Sequence, residues 1–152
     1  NFSLDFPLKG CMGKASSVAL GIALAQPKRK VLVIDGDGSL LMNLGSLVTV
    51  ANKGPSNYYH FVLEDGAYTT TGGQPIPNVN KISFTGLAMA AGYSNTYEYD
   101  NLEEFATSIE TIFQRPGPAL ICLKVRHGEV PISKSRTTQQ AIKQLMEILG
   151  NH

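Results

Sequence analysis

The sequence predicts an α/β fold: a three-layer parallel sheet with helices on both faces. Short, continuously apolar runs such as VLVI (31–34) and ALICL (119–123) alternate along the chain with longer segments whose apolar residues recur at helical spacing. Glycine or proline closes several of these segments, the punctuation expected between buried strands and crossover helices. The 152 residues carry no internal repeat and no linker, so they fit one domain able to bury a core.

Taken in order, residues 13–26 (GKASSVALGIALAQ) combine small and apolar residues at helical spacing. Pro27 and the basic turn KRK then end this tightly packed helix. VLVID (31–35) reads as a strand buried on both faces. LLMNLGSLVTVANKG (40–54) places Leu41, Leu44, Val48 and Ala51 on one face of a helix that stops at Gly54-Pro55. YYHFVLE (58–64) is a second buried strand, followed by DGAYTTTGGQPIP (65–77), a loop without periodicity of a length that is usually functional. A helix is expected over 81–92, a short strand over 95–99, and a helix over 101–114, where Asn101 and Glu104 make a cap-and-return start. A strand over 118–125 and an amphipathic helix over 137–149 complete the series.

Composition narrows the function classes. A net charge of +1 and a sequence pI near 8.0 provide no basic field for nucleic acid or an anionic membrane. The apolar runs stop well short of the roughly 18 residues a membrane span needs, and no signal peptide opens the chain, so a soluble, cytoplasmic protein is expected. Cys11 and Cys122 lie in unlike contexts, without a CxxC or a histidine at ligand spacing, which argues against a disulfide framework or zinc site. The chain opens at Asn1 without methionine, consistent with processing, cutting or a missing upstream element.

The chemistry concentrates in DGDGSLLM (35–42), at the end of the first strand. A calcium loop would need glycine where Leu40 stands and a bidentate acid where Ser46 stands. A dinucleotide fingerprint would need glycine at Leu41 and an acid about 20 residues further on. A phosphate-binding P-loop would need Gly-Lys-Ser/Thr, which does not occur. A plain strand-to-helix turn that uses glycine for its freedom remains open.

With EDGAY (64–68) at the end of the next strand, GDG resembles the signature of thiamine diphosphate enzymes. The resemblance implies that Asp37, Asp65 and the backbone carbonyl of Ala67 ligate Mg²⁺, which takes near-octahedral oxygen ligands and bridges the diphosphate. Gly36, Gly38, Ser39 and Tyr68 would line the cofactor, with the Gly38 and Ser39 N–H groups turned towards the diphosphate. Where the family pattern has asparagine, this chain has Asp65, whose charge the metal must balance. Upstream, the GCMG turn (10–13) places Met12 25 positions before Asp37. By resemblance Met12 is the wedge that bends the cofactor, the Gly10 carbonyl accepts from the pyrimidine amino group, and Gly13 completes the turn. Taken alone, Met12 reads as core filler, and its spacing from Asp37 reverses that preference.

MGKASSVALGIALAQPKRKVLVIDGDGSLLMNLGSL, EDGAYTTTGGQP and PGPALICLKVRHG together resemble the thiamine-binding subunit of sulfopyruvate and phosphonopyruvate decarboxylases. That resemblance implies a single diphosphate-side domain over 1–152, lacking an N-terminal βα element that relatives carry. It implies a decarboxylase subunit that converts a small anionic 2-oxoacid into an aldehyde and CO₂. Activity would require a hetero-oligomer in which a pyrimidine-binding partner subunit supplies the activating glutamate. Alternatives are a subunit of an acetolactate synthase-like carboligase or of a 2-oxoacid oxidoreductase, or a non-catalytic subunit that keeps the fold. The resemblance puts Thr70 and Thr71 at the substrate as catalytic residues, although loop threonines also satisfy local backbone groups. Lys14 could meet an anionic tail or be an ordinary surface lysine. Glu64 reads as a paired or solvent-facing carboxylate, His60 as structural, and His127 and His152 carry no signal.

Overall fold

The computed structural model describes residues 4–126 and 137–150, so His127 and His152 lie outside the described residues. The chain divides into two compact units, Gly13–His127 and Asn1–Met12 with Gly128–His152.

In the larger unit, α1 (Ala15–Ala25) leads into β1 (Val31–Gly36), and α2 (Asp37–Leu41) follows without an intervening residue. Then come α3 (Ser46–Lys53), β2 (Tyr58–Glu64), a ribbon of β3 (Ala67–Tyr68) and β4 (Gln74–Pro75), α4 (Phe84–Ala91), β5 (Asn95–Tyr99), α5 (Leu102–Gln114) and β6 (Ala119–Lys124). The four long strands pair in parallel in the order β1-β2-β6-β5. Alternation along each strand splits the core in two. Val33, Tyr58, Val62, Leu120 and Cys122 pack with Ala19, Leu20, Leu47, Val50, Phe84 and Ala88 of α1, α3 and α4. Tyr59, Phe61, Ala119 and Ile121 pack on the opposite face with Phe105, Ile109, Ile112 and Phe113 of α5. The three-layer parallel architecture expected from the sequence is the one observed.

Local chemistry explains the boundaries. The Asn57 carboxamide donates to the carbonyls of Ala23, Gln26 and Arg29, tying the end of α1 to the start of β2. Gly54 closes α3 at φ +56, a left-handed conformation that costs glycine little. Asn101 caps α5 by accepting from the N–H groups of Glu103 and Glu104.

Three expectations are corrected. The single helix over 40–54 is two helices that start earlier and break at residues 42–45. There Met42, Asn43, Ser46 and Leu47 each donate to the carbonyl three residues back, winding the chain too tightly for an α-helix to run through. After the break Ser46, Leu47 and Val50 are buried, while Leu41, Leu44 and Ala51 of the expected face are half-buried against the core, and the Ser16 and Ser46 hydroxyls join α1 to α3 at 2.7 Å. Val48, expected inside, is 60% exposed. Val48→Ser should therefore change unfolding free energy by no more than about 0.5 kcal/mol in denaturant titration, the usual range for surface sites. A loss above ~1.5 kcal/mol would restore the face read from the sequence.

The second correction concerns β1. Its inner residues Val33 and Asp35 are buried, but Leu32 and Ile34 are 50% and 70% exposed. β1 lies at the sheet edge, and the cluster built on α5 includes none of its residues. The third is that the loop over 65–77 contains the β3–β4 ribbon and a 3₁₀ turn, Thr69–Thr71.

In the smaller unit, α6 (Thr138–Leu149) opens with a reciprocal cap between Thr137 and Gln140, and the Thr138 hydroxyl donates to the Pro7 carbonyl at 3.4 Å. No described helix is long and apolar enough to cross a membrane.

Candidate functional site

Parallel strands end on one side of their sheet, so the turns after β1 and β2 meet there. Gly36, extended at φ −88 and ψ 153, passes directly into α2, which places Asp37 in the first helical turn with only 1% of its surface exposed. Its Oδ1 accepts from the Gly38 N–H at 2.7 Å, and its Oδ2 accepts from the Gly66 N–H at 2.8 Å, across 29 residues of sequence. Gly66 makes the second bond by adopting φ +78. The two motifs singled out in the sequence are therefore joined by a hydrogen bond.

The second turn is braced from within. Asp65 Oδ1 accepts from the Ala67 N–H at 3.1 Å, and its Oδ2 accepts from the Thr69 hydroxyl. Ile76 N–H donates to the Gly66 carbonyl and Gly73 N–H to the Tyr68 carbonyl, closing the ribbon. The Tyr68 ring lies against Gly38 so closely that a Cβ there would stand 2.6 Å from its Cδ1. On the other side, the Ser39 hydroxyl accepts from the Gly13 N–H at 3.0 Å, with Gly13 at φ +80 beside Met42.

Charge is concentrated at these strand ends. Burial holds the Asp37 carboxyl above its ordinary pKa; the Gly66 and Gly38 N–H groups oppose that shift, and the nearby Asp65 and Glu64 carboxylates add to it. A buried carboxylate crowded by two more fits a divalent cation, which would relieve the repulsion and accept oxygen ligands. Without a cation, the folded state binds the Asp37 proton more tightly than the unfolded chain does. Stability should then fall as pH rises from 3.8 through the raised native value. Asp37→Asn removes this slope, so its cation-free melting temperature should vary less with pH above 3.8 than the wild type's, while its amide NH2 gives up one of the two backbone hydrogen bonds. Unchanged melting curves across pH would refute the charge argument.

Of the residues expected at a site, Gly13, Gly36, Asp37, Gly38, Ser39, Asp65, Ala67 and Tyr68 belong to this constellation. Thr70 and Thr71 follow it on the exposed 3₁₀ turn, where the Thr71 hydroxyl donates to the Tyr68 carbonyl at 3.3 Å. Gly10, at φ +67, and Met12, half-buried, fall in the smaller unit. Lys14 is exposed at the N-cap of α1. His60 is wholly buried, its Nε2 3.6 Å from Asp35 Oδ2. Sequence reasoning missed Gly66 and Thr69 as partners of the two aspartates; the glycine directly after Asp65 was the available signal. It also missed the Asp35–His60 pair, which adjacent strands bring together.

A family model described as "Thiamine pyrophosphate enzyme, C-terminal TPP binding domain" matches residues 4–123. The chain is 39% identical over 125 residues to a phosphonopyruvate decarboxylase of Streptomyces viridochromogenes, covering 82% of this chain and 31% of that protein. It is 43% identical over 101 residues to the sulfopyruvate decarboxylase subunit beta of Methanocaldococcus jannaschii, covering 66% of this chain and 53% of that subunit. The chain thus spans about a third to a half of these relatives. A solved Mycobacterium smegmatis structure, described as a thiamin diphosphate-dependent enzyme, superposes with TM-score 0.67 over 78% of this chain and 23% of its own, at 23% identity.

Proposed function

Because the chain belongs to the family of C-terminal TPP-binding domains of thiamine pyrophosphate enzymes, we propose that it is the diphosphate-binding part of a 2-oxoacid decarboxylase acting on a phosphonopyruvate- or sulfopyruvate-like substrate. Residues 1–152 are read as one such domain. The observation that carries this reading is the hydrogen bond from Gly66 N–H to Asp37 Oδ2, which brings the two expected ligand turns together. Asp37 and Asp65 would hold Mg²⁺ with the Ala67 carbonyl, and the diphosphate would approach the open backbone at Gly36 and the Ser39 N–H; Gly38, expected to turn its N–H to the diphosphate, gives that N–H to Asp37 and its side-chain space to the Tyr68 ring. When bound, thiamine diphosphate supplies the electron sink for loss of CO₂.

In this reading the chain's own side chains bind and orient. Tyr68 seals the turn, Gly10, Met12 and Gly13 support the pyrimidine side, and the Thr70 and Thr71 hydroxyls meet the substrate carboxylate. Relatives of this chain are named subunit beta, which supports a second polypeptide; that pyrimidine-binding partner would supply the activating glutamate. The naming supports a hetero-oligomer, and a cytoplasmic location is proposed with it.

Reconstitution with the partner tests the reaction. An aldehyde and CO₂ from a 2-oxoacid bearing a sulfonate or phosphonate tail are expected. A new carbon–carbon bond or reduction of an electron acceptor would replace the decarboxylase reading by a carboligase or an oxidoreductase. Calorimetry that finds no Mg²⁺-dependent binding of thiamine diphosphate would leave only a non-catalytic subunit. Met12→Ala should lower turnover about ten-fold or more, a loss of positioning, while leaving cofactor affinity within about three-fold. Unchanged turnover would make Met12 a packing residue only.

A further inference from the structure

The segment after β2 brings a carboxylate and a carbonyl to one edge of the β3–β4 ribbon. Ala67 stands opposite Pro75, and Ile76 N–H donates to the Gly66 carbonyl at 3.0 Å, so Ala67 and Pro75 face each other without exchanging hydrogen bonds. The N–H and carbonyl of one strand residue point the same way, and in such a pair both point away from the facing strand. Ala67 uses that N–H to bond Asp65 Oδ1 at 3.1 Å. The Asp65 carboxylate therefore lies along the edge that carries the Ala67 carbonyl. β3 packs on α2, the helix that starts at Asp37, with the Tyr68 ring against Gly38.

The other carboxylate oxygen, Oδ2, accepts from the Thr69 hydroxyl. Thr69 opens the 3₁₀ turn and is half-buried, whereas Thr70 and Thr71 are exposed. The three consecutive threonines are thus divided, the first turned back to the aspartate four residues earlier and the next two turned out. The start of the turn is fixed as well, because Gly73 N–H and the Thr71 hydroxyl both donate to the Tyr68 carbonyl, at 3.0 and 3.3 Å. A hydroxyl that donates to a carboxylate makes a charge-assisted bond, about twice as strong as a neutral one. Each carboxylate oxygen has two acceptor sites, so Asp65, anchored at both oxygens, keeps acceptor capacity for a cation.

We propose that Thr69 is a positioning residue for the cation site: its hydroxyl fixes the Asp65 carboxylate beside the Ala67 carbonyl, in one orientation, without ligating the ion. This rests on reading Asp37, Asp65 and Ala67 as the Mg²⁺ ligands. Mg²⁺ tolerates little departure from octahedral geometry, so a carboxylate already held in place binds it better than one that must be ordered on binding. The Ala67 N–H by itself leaves the carboxylate hinged on one oxygen, and the Thr69 hydroxyl removes that freedom.

The test uses the complete enzyme with its partner and measures, by calorimetry, the Mg²⁺ concentration that half-saturates thiamine diphosphate binding. Thr69→Val keeps the shape of the side chain and removes the hydroxyl; it should raise that concentration at least about three-fold, towards the roughly ten-fold effect of losing a partner of a metal ligand. Thr69→Ser keeps the donor and should stay within about two-fold of the wild type. Saturating Mg²⁺ should return the turnover of Thr69→Val to the wild-type level, because the hydroxyl acts on a ligand of the ion and not on substrate. A shift below about three-fold in Thr69→Val would overturn the proposal. Equal shifts in Thr69→Val and Thr69→Ser would do the same, making the residue a packing element. Turnover that stays low at saturating Mg²⁺ also defeats it, moving Thr69 to the substrate side with Thr70 and Thr71. Circular dichroism checks folding, and Thr69→Ala repeats the measurement if valine does not fit the turn. Asp65→Ala is the control: retained Mg²⁺ dependence there defeats the ligand reading itself. Loss in Asp65→Ala together with no effect in Thr69→Val defeats only the role given to Thr69.

Discussion

Asp37→Ala should abolish retention of thiamine diphosphate, with Mg²⁺-dependent affinity falling at least about 100-fold, the consequence of leaving a buried charge without its partner at ~3–5 kcal/mol. Asp37 is the most enclosed of the acids at the strand ends, and each of its oxygens is oriented by a backbone N–H, from Gly38 and from Gly66. That arrangement presents the carboxylate in one orientation. The substitution also strands the Gly66 N–H and loosens the second turn, where Asp65 lies. Calorimetric titration with Mg²⁺ and thiamine diphosphate measures the loss, and circular dichroism checks that the variant is folded. Affinity within about three-fold of the wild type would remove Asp37 from the ligand set. The Asp37→Asn variant keeps the side-chain volume and relieves the crowding with Asp65 and Glu64, while giving up one of the two backbone hydrogen bonds.

Gly38→Ala should be the most damaging single methyl group at the site. The added carbon would meet Tyr68 Cδ1 at 2.6 Å, Cε1 at 2.9 Å and Cγ at 3.3 Å, distances at which the ring must leave. Tyr68 is paired with Gln74 in the ribbon that carries the Asp65 turn, so displacing the ring disturbs the second ligand through the first motif. Overpacking of this kind costs about 1–3 kcal/mol. A melting temperature several degrees lower and cofactor binding weakened about ten-fold are expected. Trimming the ring in Gly38→Ala/Tyr68→Ala should recover part of the binding, a coupling that only contacting residues show. Normal binding by Gly38→Ala would mean that the Tyr68 contact does not hold the second turn.

The readings that succeeded rest on strong local signals. α1 follows from Ala, Ser and Gly at helical spacing closed by Pro27, and β2 and β6 from short runs rich in aromatic, β-branched and other apolar residues, the composition of strands buried in a parallel sheet. The turns of Asp37 and Asp65, singled out by the resemblance of GDG and EDGAY to the thiamine diphosphate signature, meet at the strand ends. The readings that failed depend on what surrounds a residue. VLVI has the composition of a doubly buried strand, yet its outer face is bare because β1 is at the edge and the α5 cluster stops short of it. LLMNLGSLVTV carries a helical pattern, but tight turns at 42–45 and the Ser16–Ser46 bond reset its phase and leave Val48 outside.

The sequence by itself determined the order of strands and helices, the family resemblance and the two acidic turns, because periodicity, turn chemistry and motif spacing are properties of neighbouring residues. Only the tertiary structure decided that Gly66 hydrogen-bonds Asp37, that Tyr68 occupies the space above Gly38, and that the Cys122 thiol holds Glu64. These contacts join residues separated by 29, 30 and 58 positions. Strand order and register bring such residues together, and neither can be read from the local pattern of any one segment.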